Sequence, residues 1–364
     1  MRKKRPDFIL LFTILILVMS GLIMILSASS IKAERLFSNS YYFFNNQLKY
    51  LVVALIISVV IYKLKYKKLK DLVPYLLLIS LGTLILVLIP GVGTIAGGSR
   101  RWLSLGLISF QPSELAKFTV VIYLAAYIDR NQAKMKNFKK GILPPLIVIG
   151  LTAALILIEP DLGTAFTLSA VAAAMIFVGG IKISSFIILG VTSILLSLGA
   201  IISEPYRRER LLTFLNPWQD QLDSGYHIIQ SLLALGSGGL FGVGAGNSHQ
   251  KFLYLPEPGT DFIFAVLGEE FGLIGTLFII SLYFIIAWRG LRIAARVDDS
   301  FASMLAVGIT SMIIIQALIN MAVVTSLMPV TGITLPLISY GGSSLVINLT
   351  ALSLLLNISC YVEG

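Results

Sequence analysis

Apolar stretches about 20 residues long recur from one end of this chain to the other, and a helix of that length crosses a hydrocarbon core of about 30 Å. The first, FILLFTILILVMSGLIMIL, begins at Phe8. These are continuous Leu/Ile/Val runs, not the alternating segments of about 10 residues that build a membrane barrel. Composition agrees. Hydrophobic residues make up 57% of the chain and charged residues 13%, against about 25% charged in a soluble domain. So few polar groups cannot coat a water-facing surface. The chain reads as an all-α polytopic membrane protein, a single integral membrane domain over residues 1–364. About ten transmembrane helices are predicted, at 8–28, 47–62, 72–90, 113–129, 141–158, 162–178, 183–202, 261–288, 301–326 and 334–361. RKKR at positions 2–5 looks like the start of a signal peptide, but no cleavage site follows, so the first run is read as a membrane helix.

Charge sets the orientation. With the N-terminus inside, the segments on that side hold 18 of the 28 Lys and Arg, among them Lys63–Lys70, Arg130–Lys140 and Arg289–Arg296. This bias places both termini in the cytoplasm. The net charge of +10 is thus an orientation signal and a contact with anionic lipid, with no call for a nucleic-acid partner. The basic residues left outside are Lys32, Arg35, Arg100, Arg101, Arg207, Arg208, Arg210 and Lys251. One extracytoplasmic loop, residues 203–260 between the seventh and eighth helices, is far longer than the rest, and such loops tend to be functional. Within it Ile228, Ile229, Leu232 and Leu233 recur at helical spacing, which predicts a short helix on or re-entering the membrane. The glycines from Gly236 to Gly246 fit no phosphate-binding register. They predict close backbone packing instead.

Ionisable groups within spans or at their ends are costly and are functional candidates by default. They are Glu114, Lys117, Glu159, Asp161, Asp261, Glu269 and Glu270. Glu114 and Lys117 are three residues apart and can pair on one helix face. Asp161 is placed to cap the next helix. Asp261 opens the eighth span behind Pro256 and Pro258, where partial desolvation suits a carboxylate to act as a base. Glu269 falls within about 80° of Asp261 on that helix, whereas Glu270 points elsewhere and is expected to pair with another helix. No metal-ligand spacing and no nucleophile elbow is present. The one cysteine, Cys360, excludes an intrachain disulfide.

Several stretches resemble the SEDS family (shape, elongation, division and sporulation), its FtsW and SpoVE branch more than RodA. They are GSRRWLSLGLISFQPSELAK at 98–117, EPDLGT at 159–164, YRRERLLTFLNPWQD at 206–220, GYHIIQSLLALGSGGLFGVGAGNS at 225–248, KFLYLPEPGTDFIFAVLGEEFGLIG at 251–275 and NMAVVTSLMPVTGITLPLISYGGSSL at 320–345. They follow in order along nearly the whole chain. The resemblance implies a ten-helix enzyme of the bacterial cytoplasmic membrane, a peptidoglycan glycosyltransferase that polymerises lipid II. It also implies a class B penicillin-binding protein as partner, alongside other divisome or elongasome proteins. By the same resemblance Asp261 matches the essential carboxylate. Trp102, Pro112, Ser113, Glu114 and Lys117 match a second functional block, and Glu257 lies in the motif before Asp261. One position departs from the pattern: Gly259 stands where the family usually has His.

Glycan growth requires a base for a sugar hydroxyl and positive charge for a departing diphosphate. Asp261 is the expected base. Arg100, Arg101, Arg207, Arg208 and Arg210 are the expected diphosphate contacts, because guanidinium meets phosphate oxygens bidentately. Trp102 suits a cavity rim or an interfacial anchor. A Mg2+ or Mn2+ ion bridging the diphosphate and a carboxylate is the one cofactor the chemistry suggests. Two other readings are a lipid II flippase and a non-catalytic scaffold for the transpeptidase. A flippase needs a polar path through the midplane, whereas the ionisable residues here crowd one side.

Overall fold

The computed structural model describes residues 5–96, 99–104, 106, 109–202, 205–219, 225–251 and 255–362. Its helices in chain order are α1 (Phe8–Phe37), α2 (Tyr42–Lys63), α3 (Lys68–Leu88), α4 (Pro112–Asn131), α5 (Leu143–Ile158), α6 (Leu162–Val178), α7 (Ile183–Ile202), α8 (Pro205–Leu215), α9 (Tyr226–Gly238), α10 (Ile263–Arg296), α11 (Ser300–Val324) and α12 (Gly342–Ser359). Each predicted span overlaps one of them. Among the described residues seven helical segments are long and apolar enough to cross a membrane: α1, α2, α3, Phe138–Ile158, α10, α11 and α12. Outward-facing residues such as Leu78, Phe284 and Ile188 are 64–75% exposed. So much exposed apolar surface suits lipid contact, and the chain is a multi-pass membrane protein.

Burial orders the bundle. In α12, 89% of the spanning window is buried, against 67% in α11 and 17% in α2. Helices α11 and α12 therefore form the interior and α2 the periphery. Polar side chains fix helix ends where the backbone runs out of partners. Asp7 caps α1 by accepting from the Leu10 amide (3.0 Å) and binds Arg289 of α10 (Nε–Oδ2 2.6 Å). Asp299 caps α11 through the Ala302 amide (3.1 Å), and Asn357 of α12 donates to the Leu64 carbonyl (3.0 Å) just past α2.

Three features depart from the sequence-based expectation. The molecule is not wholly α. Residues 93–110 hold a small antiparallel sheet of β1 (Gly93–Ala96), β2 (Ser99–Ser104) and β3 (Ser109–Phe110), in that order. Thr94 faces Trp102 and Leu103 faces Phe110 in its register. This Gly/Ser-rich stretch is too polar for lipid, and pairing satisfies its backbone groups. Second, α1 runs to Phe37 rather than residue 28, because no breaker intervenes before Ser38 takes the left-handed conformation (φ 51°). Third, the last helix starts at Gly342, not at 334. Pro336 and the left-handed Leu337 (φ 67°) hold the preceding segment out of helix.

The glycine-rich stretch explains the path of the long loop. Helix α9 packs on α10, and a Cβ at Gly238 would overlap the Gly268 carbonyl. Helix α10 is interrupted at Gly272 (φ 66°, ψ −162°). There the loop backbone substitutes for helical partners. Val243 N donates to Glu269 O (2.9 Å) and Gly244 N to Glu270 O (3.0 Å). Leu273 N donates to Gly239 O (2.9 Å) and Ile274 N to Leu240 O (3.2 Å). The break lies ten residues along α10 from Phe262, roughly 15 Å at the helical rise. The segment therefore packs along the side of α10 instead of beyond its end. Irregular backbone is tolerated beside an apolar helix because protein groups satisfy it. Leu240 and Phe241 at its tip are 61% and 78% exposed, as apolar residues facing lipid would be. Gly242 has φ +81°, and a Cβ there would overlap the Glu270 carbonyl. Gly242→Ala is expected to cost about 1–3 kcal/mol from backbone strain alone, read as a lowered unfolding midpoint in detergent.

Candidate functional site

The segment before α10 is a turn rather than helix, since Pro256 and Pro258 cannot donate to one and Glu257 is left-handed (φ 51°). The Glu257 carbonyl accepts from the Thr260 amide (3.3 Å) and the Phe262 amide (3.4 Å). Phe262, 1% exposed, anchors the end of the turn. Three successive carbonyls are then held by three different donors. Gly259 O accepts from the Tyr340 amide (2.8 Å), Thr260 O from Ser339 Oγ (2.6 Å) and Asp261 O from Asn320 Nδ2 (2.8 Å). Gln47 of α2 steadies the donor segment by accepting from the Gly341 amide (3.3 Å). The backbone of Asp261 is thereby fixed from α11 and from the lead-in to α12. The residue as a whole is partly exposed, and its carboxylate faces Gly332, where an added Cβ would lie 3.7 Å from Oδ2.

Glu114 and Lys117 pair as predicted, with Nζ–Oε1 2.8 Å and almost no exposure. Their surroundings were not legible in the sequence. Lys117 Nζ also donates to Gln316 Oε1 (2.7 Å), and Gln316 Nε2 donates to the Thr334 carbonyl (3.0 Å). One turn along α11, Asn320 Nδ2 donates to the Ile333 carbonyl (2.7 Å) as well as to Asp261. Gln316 and Asn320 thus grip residues 333–334, and that segment joins the buried ion pair to the Asp261 turn. Neither residue ionises, so a search for charges passes over both. The available signal was two amides four residues apart in an otherwise apolar helix. Asn320→Ala would leave two carbonyls without their donor, at about 1–3 kcal/mol. It is expected to displace the turn at Asp261, read as a lowered unfolding midpoint in detergent.

The remaining candidates separate into different settings. Arg101 of β2 donates through Nε to the Glu159 carbonyl (3.0 Å) and through Nη2 to the Pro160 carbonyl. It fastens the turn between α5 and α6. Asp161 caps α6, accepting from the Thr164 amide (3.1 Å) and Thr164 Oγ1 (2.8 Å). Glu159, just past the end of α5, is 1% exposed, and neither of its carboxylate oxygens finds a hydrogen-bond donor. Burial raises that carboxyl to about 8, the Asp161 charge adding to the effect and Arg101 opposing it. Arg100 and Trp102 are partly exposed on β2, and Arg208 is exposed on α8. The side chains of Arg207 and Arg210 lie outside the described residues. Glu257 is bound by Lys32 of α1 (2.6 Å).

Glu269 is committed to the long loop. It binds Ser248 Oγ and the His249 amide (2.9 Å), closing the loop that leads to the turn. Glu270 pairs with another helix as expected. It accepts from Ser27 Oγ of α1 (2.5 Å) and from Lys251 Nζ (3.1 Å). Among the described residues no group of three or more His, Cys, Asp or Glu could hold a metal ion.

The fold and site define a polytopic helical protein in which a turn carrying Asp261 is linked, through Gln316, Asn320 and residues 333–334, to a buried ion pair. Comparison with known proteins names the family. The model described as cell cycle protein, covering FtsW, RodA and SpoVE, matches residues 8–364. The chain is 45% identical to stage V sporulation protein E of Bacillus subtilis over 360 residues, 99% of this chain and 98% of that one. It is 41% identical to a probable peptidoglycan glycosyltransferase FtsW of Geobacter sp. strain M18, over 98% of each. Among solved structures it resembles a chain from a peptidoglycan synthase complex that coordinates polymerization and crosslinking, with TM-score 0.79, 28% identity and 97% of each chain covered. It also resembles the rod shape determining protein RodA of Thermus thermophilus, with TM-score 0.69, 28% identity, and 97% and 96% covered. The chain belongs to the FtsW/RodA/SpoVE family.

Proposed function

We propose that this protein is a peptidoglycan glycosyltransferase that polymerises lipid II at the outer face of the bacterial cytoplasmic membrane, with Asp261 as its general base. The observation that carries the reading is the grip on three successive carbonyls. It immobilises the backbone of Asp261, a residue that stays partly exposed. A base must be preorganised and still reachable by the group it deprotonates. In the proposed step a GlcNAc 4-hydroxyl attacks C1 of a MurNAc, Asp261 takes the hydroxyl proton, and the lipid diphosphate leaves. Arg100, Arg208, Arg207 and Arg210 are proposed to meet diphosphate oxygens. Arg101 contributes only the donors that its two carbonyl bonds leave. Glu114 and Lys117 set the position of the 333–334 segment opposite Asp261. Trp102 packs at the rim. Mg2+ or Mn2+ enters this scheme as an ion carried by the diphosphate, since such ions commonly bind through substrate phosphates with one or two carboxylates.

The same reading has ten spans, both termini in the cytoplasm and the 203–260 loop outside, in accord with the positive-inside bias. Its partners are a class B penicillin-binding protein and further membrane proteins of division, elongation or sporulation. The test is polymerisation of purified lipid II by this protein with its cognate transpeptidase. That partner is inactivated in its own chemistry, and moenomycin suppresses contaminating glycosyltransferases. Long glycan strands are the expected product. A complex that yields none, yet moves labelled lipid II between leaflets of a vesicle, would establish the flippase reading instead.

A further inference from the structure

The outer end of α1 and the turn before α10 flank an open cavity of about 340 Å³ that the scheme above leaves unused. Lys32, Arg35, Leu36, Lys251, Leu255, Pro256, Glu257 and Pro258 line it. It exists because α1 continues past residue 28 and carries two basic residues on its last turns. Its chemistry is amphiphilic, with three cations and one carboxylate over Leu36, Leu255 and two prolines. The cations are not equally available. Lys251 is 5% exposed and committed to Glu270, Ser27 and the Gly246 carbonyl. Arg35 is exposed, and among the described residues Lys32 is held by Glu257 alone, on a side chain that is itself 52% exposed. Such an exposed bridge is worth at most about 1 kcal/mol, so a phosphate group can take Lys32 from Glu257. Pro258, on the wall, is three residues from Asp261.

We propose that this cavity binds the diphosphate head of a prenyl lipid, with Lys32 and Arg35 as its cations, and that binding opens the Lys32–Glu257 bridge beside the Asp261 turn. The inference rests on the polymerase reading, whose two substrates each carry a lipid diphosphate. Two such heads must then sit near one base. Cations meet phosphate oxygens well in a partly desolvated site, and the apolar lining suits the first isoprene units. With Arg101 tied to the α5–α6 turn, the α1 cavity supplies a second place for a diphosphate.

The experiment is photolabelling of the full-length protein in detergent with farnesyl diphosphate carrying a diazirine on its first isoprene unit, followed by peptide mapping. Label is expected on the peptides holding Leu36 and Leu255. Lys32→Ala/Arg35→Ala is expected to reduce it at least tenfold. Glu257→Gln is expected to raise it severalfold, a gain that a folding defect cannot produce. Undecaprenyl diphosphate should compete at concentrations at least 100-fold lower than inorganic pyrophosphate. Unchanged labelling in the double variant would overturn the proposal. So would equal competition by inorganic pyrophosphate, or competition by phosphatidylglycerol as strong as that by undecaprenyl diphosphate. Labelling does not depend on turnover. A protein that labels as expected but makes no glycan strands would therefore count against the polymerase reading and not against this site.

Discussion

Asp261→Asn is expected to lower lipid II polymerisation by about 10²–10⁴-fold, the usual contribution of a general base, while leaving the protein folded. The substitution keeps the size of the side chain and removes its ability to accept a proton. The three carbonyl bonds that hold the turn involve the backbone of Gly259, Thr260 and Asp261, so they survive it. Thermal unfolding of the variant should accordingly match the native protein within about 0.5 kcal/mol, as for other partly exposed positions. The two measurements belong together. Lost strands with intact stability and intact binding of the partner transpeptidase identify a base. Normal strand synthesis by the variant would move the base elsewhere, with Glu114 the next carboxylate to examine. A scaffold would tolerate the change in every assay.

Lys117→Met should be the most destabilising single substitution near the site. Lys117 is 3% exposed and answers both Glu114 and Gln316. Its removal leaves a buried carboxylate uncompensated, at about 3–5 kcal/mol. It also frees Gln316, whose other end holds the Thr334 carbonyl. The double variant Glu114→Gln/Lys117→Met removes both charges and should recover most of the lost stability, because exchanging a whole buried pair for neutral groups is often nearly neutral. Polymerisation separates two roles for the pair. Activity that stays low in the stable double variant means that the charges act on substrate or on the position of Thr334. Activity that returns with stability means that the pair only holds helices together.

The position of Gly259 illustrates how sequence and structure divide the problem. The sequence shows a glycine where the family resemblance leads one to expect histidine, but not what surrounds it. In the fold Gly259 is buried against α1, and a Cβ there would stand 3.2 Å from the Cβ of Ser29. A larger side chain thus requires α1 to yield by a few tenths of an ångström. The glycine and the close approach of α1 to the turn are consistent with each other.

Features that depend on local composition were legible from the chain alone. The apolar runs fixed the helices and their bundle class, since the length of a membrane span is set by the thickness of hydrocarbon. The spacing of Glu114 and Lys117 fixed their pairing, since residues three apart share a helix face. Asp161 capped its helix, and the glycines of the long loop packed backbone against backbone, for equally local reasons. Features that depend on contacts between distant segments were not legible. Tyr340, Ser339 and Asn320 lie 59 to 81 positions beyond the carbonyls they hold, and nothing in their own neighbourhoods announces that task. The break in α10 becomes visible only when the loop from Gly239 to Gly244 supplies the missing hydrogen bonds. Lys32 and Arg35 likewise read as stray external charges until α1 is seen to continue past the expected end of its span. The sequence by itself determined that the chain is a bundle of apolar helices of membrane-spanning type and which of its residues are costly to place among them. Only the tertiary structure decided which costly residues face one another, because that depends on how the helices pack and which backbone groups still need partners.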